Sequence, residues 1–139
     1  MISTALAREL REAGLRWTPT SGDAFQIALP DFEGDQFTVS DMTIEAHDYP
    51  TGAVLGFNGT TEWALDSVAL GAALWLPRED QLRELLRGTF RSLLRAVDTE
   101  GRVSYTVTVR IGEVDAAYSR DDPSEAYGVA VLALIRSAA

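Results

Sequence analysis

LPREDQLRELLRGTFRSLLRAV, residues 76–97, is the stretch on which the fold turns. Leu82, Leu85, Leu86, Phe90, Leu93, Leu94 and Val97 recur at the i, i+3, i+4, i+7 spacing of a helix with one apolar stripe. Pro77 suits a first helical turn, where its missing N–H costs nothing. Glu79 and Asp80 fall near the positive end of the helix dipole, Arg91 and Arg95 near its negative end. Gly88 is the weak position, worse than alanine by roughly 1 kcal/mol. The spacing predicts one helix from about Arg78 to Val97. Its Leu82, Leu86, Phe90 and Leu93 would lie on a sheet built from the strands to either side.

Working outward, Ser3 or Thr4 caps a first helix to about Ala13, ended by Gly14. Phe25, Ile27 and Leu29 alternate with Ala24, Gln26 and Ala28 as in a half-buried strand, which Pro30 stops. DFEGD (31–35) reads as a hairpin loop and Phe37 to Asp41 as a second strand; Met42 to Tyr49 is either its continuation or, the preferred reading, a third strand after a tight Ser40-Asp41 turn. Ala53 to Phe57 is a short strand, and Asn58-Gly59 a turn. Thr60 or Thr61 then starts a helix through Leu70, and Ala73 to Leu76 leads into the long helix. Beyond Gly101, Val103, Tyr105, Val107 and Val109 alternate with Ser104, Thr106, Thr108 and Arg110. A further strand covers Val114 to Tyr118. Asp122-Pro123-Ser124-Glu125 is an N-cap, a proline at the first helical position and an acidic third residue, so a last helix runs to about Ser137. The order α-β-β-β-β-α-α-β-β-α, rich in hairpins, predicts a single α+β domain with an antiparallel sheet.

Composition narrows the chemistry. The chain has 139 residues, 46% of them hydrophobic, enough for a real core. Net charge is −9, and all twelve basic residues are arginine. Lysine-free usage fits a GC-rich, actinobacterium-like source. The absence of lysine excludes a Walker A loop, a Schiff base and a Ser–Lys pair. The absence of cysteine excludes thiol nucleophiles, thiolate metal sites and disulfides. The N-terminus reads as an amphipathic helix rather than a secretory leader, and no apolar run approaches ~20 residues, so the expected compartment is the cytoplasm and no membrane is expected as a partner. Acidity argues against nucleic acid. GxSxG, HExxH, GxGxxG and glycine-rich phosphate loops are all missing, and no cofactor or metal is expected.

Four groups could carry function. His47, the only histidine, shares a strand face with Glu45 and Tyr49. Glu62 and Asp66 stand at i, i+4 on the helix predicted after Asn58-Gly59, where two carboxylates could hold a divalent cation. Together Glu45, His47, Glu62 and Asp66 would serve a small metal-dependent or acid–base enzyme. Read plainly, His47 is an edge-strand histidine, Glu62 favours the helix dipole and Asp66 is solvated. Trp17, Trp63 and Trp75 are core groups, or else a ligand platform. Arg83, Arg87, Arg91 and Arg95 recur every four residues and would form a slanted basic stripe on the long helix, suited to an anionic ligand or acidic partner. Their plain reading is a solvated face with Glu79–Arg83 and Glu84–Arg87 pairs.

With FNGTTEWALDSV (57–68), LWLPREDQLRELL (74–86) and VSDMTIEAHDYPTG (39–52), the chain resembles a family of small uncharacterised bacterial proteins, of actinobacterial type. Some members carry a pilus-assembly ATPase label, which a chain without a lysine-bearing phosphate loop does not support. The element order and acidity are also similar to type III secretion chaperones, a resemblance that implies binding of unfolded partner segments and dimerisation. The function expected is a protein-interaction module, chaperone-like or regulatory, without catalysis, acting on an unknown protein partner. A homodimer is expected through the C-terminal helix, because AYGVAVLALI (126–135) has no charge and its apolar surface needs cover from a second copy or from the chain itself.

Overall fold

The computed structural model describes residues 1–28, 34–40, 44–49, 52–57 and 67–138. Its described elements are α1 (Thr4–Ala13), β1 (Ala24–Ile27), β2 (Gln36–Thr38), β3 (Ile44–Tyr49), β4 (Gly52–Phe57), β5 (Ser67–Ala69), β6 (Ala73–Leu76), α2 (Glu79–Leu86), β7 (Phe90–Val97), β8 (Val103–Ile111), β9 (Val114–Arg120) and α3 (Pro123–Ser137). The fold is α+β, and every strand pairing among the described residues is antiparallel. The chain divides into two compact units, one formed by Met1–Leu15 with Pro77–Ala139 and the other by Arg16–Leu76.

In the first unit the sheet order is β7-β8-β9. Both terminal helices form where their caps predict. The Ser3 hydroxyl accepts from the Leu6 N–H, and Gly14, at φ +115°, turns the chain so that its N–H and that of Leu15 reach back to the carbonyls of Arg11 and Leu10. The Asp122 carboxylate accepts from the Glu125 N–H at 3.1 Å, with Pro123 opening the helix. α3 packs on β8 and β9 and also meets α1 and α2. That placement explains its nearly all-round apolar sequence. Ala126, Tyr127, Gly128, Ala130, Val131 and Leu132 are buried. α1 comes close enough at Gly128 that an added Cβ would lie 2.6 Å from Leu6 Cδ2. Much of the apolar surface for which a homodimer is expected is thus covered within the chain, while Val129, Ala133, Leu134 and Ile135 stay half-buried.

The long helix of residues 78–97 does not form. α2 stops at Leu86, Arg87 to Thr89 make a single 3-10 turn, and Phe90–Val97 is a strand. Two features end the helix. Arg87 lies at φ +52°, in the left-handed region, and Gly88 follows it. The Thr89 hydroxyl donates to the Leu86 carbonyl, taking up a backbone acceptor that helix continuation would have used. What holds Phe90–Val97 extended is the hairpin with β8. Asp98 builds its turn: the carboxylate accepts from the N–H groups of Glu100 (2.8 Å) and Arg102 (2.9 Å), and Gly101 sits at φ +82°. Of the side chains expected beneath the long helix, Leu82 and Leu86 are fully buried on α2, Phe90 reaches Tyr127 (ring centroids 5.7 Å apart), and Leu93 sits on the strand.

The second unit holds two three-stranded sheets, β2-β1-β6 and β3-β4-β5. Ala73–Leu76, expected as a lead-in to the long helix, is instead a strand paired with β1. The helix expected from Thr60 to Leu70 ends in a strand, Ser67–Ala69, and a 3-10 turn, Leu70–Ala72; its earlier residues lie outside the described ones. Phe25 and Ile27 are buried, and Phe25 packs on Trp17 and Phe37. Buried Asp23 accepts from Trp17 Nε1 at 2.9 Å and from the N–H and hydroxyl of Thr20.

Candidate functional site

Among the described residues the exposed large apolar side chains are Leu93, Leu94 and Val97 on β7, Val114 on β9 and Met1. Pairing with β8 sets Leu93 opposite Val107, Arg95 opposite Tyr105 and Val97 opposite Val103, and β8 in turn sets Val107 opposite Tyr118 and Tyr105 opposite Arg120. Alternation therefore puts Leu93, Arg95 and Val97 on the sheet face of Val107 and Val109, the two fully buried residues of β8. This is the face that α3 covers over β8 and β9. Over β7 the cover runs out. Leu93 is 36% exposed and Val97 54%, and every residue from Arg91 to Val97 is exposed. Ser92, Leu94 and Ala96 take the other face, which β8 and β9 line with Ser104, Thr106, Thr108 and Ser119. The hydroxyls of Thr106 and Ser119 meet there at 2.6 Å. Leu94, 62% exposed, is an apolar side chain on this polar face. Among the described residues β7 pairs only with β8, so its outer row of N–H and C=O groups is open.

The four arginines of the expected basic stripe do not line up. Arg83 lies on α2, where it bears on Tyr127, whose hydroxyl burial pushes above its usual range while Arg83 opposes that shift. Arg87 occupies the left-handed break. Arg91 falls where the β7–β8 register shifts, and its guanidinium donates to the carbonyls of Gly88 (2.9 Å) and Phe90 (3.3 Å). Arg95 stands on the open strand and, among the described residues, makes no ion pair or hydrogen bond. Only Arg91 and Arg95 share an element, and β7 contains no carboxylate.

Only two of the four residues of the enzyme-like group, Glu45 and His47, are among the described residues. Glu45 and His47 lie on β3, opposite Gly56 and Val54 in register, while Glu62, Asp66 and Trp63 fall outside the described residues. No group of three or more His, Asp or Glu side chains among the described residues could hold a metal ion. Trp17 and Trp75, both half-buried, stack at 6.4 Å with an interplanar angle of 9°, and Trp17 also packs on the buried Phe25.

The signal for the β7 edge was present in the sequence. Asp98-Thr99-Glu100-Gly101 directly precedes the clear strand of residues 102–111 and is a hairpin loop of the kind that demands a strand before it. Compared with family models, curated proteins and solved structures, the chain matches none. Function is read from this edge alone.

Proposed function

We propose that the chain is a small acidic, cytoplasmic protein-interaction module, without catalysis, that docks an extended segment of a partner protein along β7. The observation that carries the reading is the combination of an open strand edge with Leu93, Leu94 and Val97 exposed on its two faces. An added strand gains main-chain hydrogen bonds along its length, and alternate side chains find apolar neighbours on each face. Long apolar edges are otherwise blunted or covered, because they invite pairing with any extended chain. Here the edge is eight residues long and its last seven are exposed. No helix among the described residues is long and apolar enough to cross a membrane.

The test is a display selection of short random peptides on the full chain, followed by amide hydrogen exchange with a recovered peptide bound. Slowed exchange confined to Phe90–Val97 is expected. Recovery of no peptide, or protection that leaves this strand unchanged, would refute the reading.

A further inference from the structure

The face of the β7 sheet that carries Leu93 and Val97 is electrostatically one-sided. Its members are Leu93, Arg95 and Val97 on β7, Val103, Tyr105, Val107, Val109 and Ile111 on β8, and Val114, Ala116, Tyr118 and Arg120 on β9. No carboxylate is among them. The one acidic residue within these three strands, Asp115, lies on the opposite face with Arg110, 3.7 Å away. Across the uncovered end the row reads Arg95–Tyr105–Arg120, with both arginines exposed. Arg102, at the hairpin tip, is already neutralised by Asp98 (2.9 Å) and Glu100 (3.1 Å). Arg120 donates to the Ser119 carbonyl. Arg91 and Arg120 also lack an ion pair among the described residues but donate to backbone carbonyls; Arg95 does neither, and it stands in the middle of the docking edge on a chain of net charge −9.

Resting on the docking reading above, we infer that the occupant of β7 is an extended apolar segment carrying an aspartate or glutamate opposite Arg95. Directly opposed side chains on neighbouring antiparallel strands stand about 4.5–5.5 Å apart at Cβ, within reach of an ion pair. Read along an antiparallel partner from the position facing Val97 to the one facing Leu93, the complementary pattern is apolar, small, acidic, apolar, apolar. The first, third and fifth positions meet Val97, Arg95 and Leu93 on one face. The second and fourth meet Ala96 and Leu94 on the other.

A second copy of β7 does not meet this requirement. Phe90–Val97 holds no acidic residue, so no register of the strand on its own copy places a carboxylate against Arg95. The antiparallel register centred on Leu93 sets Arg91 against Arg95 twice, and like charges directly opposed destabilise a strand pair. The arginine that keeps copies of the edge apart thus also selects an acidic partner.

The experiment compares peptides recovered on the wild-type chain with those recovered on Arg95→Glu. Arg95 is exposed and unpaired, so the variant should melt with the wild type. Wild-type selections should enrich Asp or Glu at one fixed position between apolar residues, and Arg95→Glu should turn that position basic. Replacing the acid of a recovered peptide by its amide should weaken binding about two- to fivefold, as one exposed cross-strand pair allows. Peptides that bind β7 with no charge preference, or with one that Arg95→Glu leaves unchanged, would overturn the acidic occupant and leave the docking reading standing. Recovery of no peptide would sink both. A dimer in light scattering that Leu94→Asp separates would make a second copy the occupant and overturn the inference.

Discussion

Truncating Leu94 and Leu86 separately distinguishes an edge strand from a continuous helix. On one helix the two residues would belong to the same apolar stripe, eight positions apart, and Leu94→Ala and Leu86→Ala would cost alike. In the structure Leu86 is fully buried and Leu94 is 62% exposed. A buried leucine cut to alanine loses transfer free energy and leaves a cavity, about 2–5 kcal/mol. Full burial of a leucine side chain is worth about 1.5–3 kcal/mol, and little more than a third of the Leu94 surface leaves water. Its truncation should therefore cost no more than about 1 kcal/mol, with no cavity term. Urea denaturation followed by circular dichroism should show a clearly lower midpoint for Leu86→Ala, at an unchanged slope, and a midpoint near wild type for Leu94→Ala. Equal losses would refute the strand assignment, and with it the exposed edge.

Two further outcomes follow from particular contacts and a third from net charge. The Asp98 carboxyl is held below its ordinary value of 3.8, first by the backbone N–H of Arg102 and then by the Arg102 guanidinium and the Glu100 N–H. A depressed folded value means that its contribution to the hairpin is present above the unfolded value and lost as pH falls through the folded one; amide shifts of Glu100 and Arg102 should titrate below 3.8, and a midpoint at or above it would contradict the turn. Gly128→Val should lower stability by about 1–3 kcal/mol through overpacking against Leu6, with partial recovery on adding Leu6→Ala; wild-type stability for the single variant would show that α1 does not lie against Gly128. Labelled duplex DNA should not bind at about 0.15 M salt, because the net charge repels phosphate; micromolar binding that weakens steeply with salt would overturn that expectation.

How much of this was legible in the sequence varied with how local the determining signal was. Ser3 with Gly14, and Asp122 with Pro123, carry their conformations in their own chemistry, and α1 and α3 lie between the residues that these caps predict. The alternation of Val103 to Val109 likewise has one reading. Phe90, Leu93, Leu94 and Val97 do not. Their spacing fits a helical stripe, yet the same residues divide between two faces of a strand, with Leu93 and Val97 on one and Leu94 on the other. Periodicity cannot choose between these, because the strand is selected by its partner β8 and by Asp98, which lies outside the repeat. The binding residues suffered the same ambiguity. A four-residue arginine repeat is a stripe only on a helix, and once the helix breaks at Arg87 it leaves Arg91, bonded to backbone carbonyls, and Arg95, with neither an ion pair nor a hydrogen bond among the described residues, on an edge strand. The near-uncharged sequence of α3 was legible as a demand for cover, but not whether α1 and α2 or a second copy would supply it.

Amide hydrogen exchange along Phe90–Val97 in the free protein tests the edge most directly. In an outer strand, N–H groups bonded to the neighbouring strand alternate with N–H groups facing water. Exchange resolved by residue should therefore alternate between slow and fast along β7, with extended-chain carbon shifts throughout. Uniform protection across these residues, as a helix or a strand paired on both sides would give, would contradict the open edge and the docking function built on it.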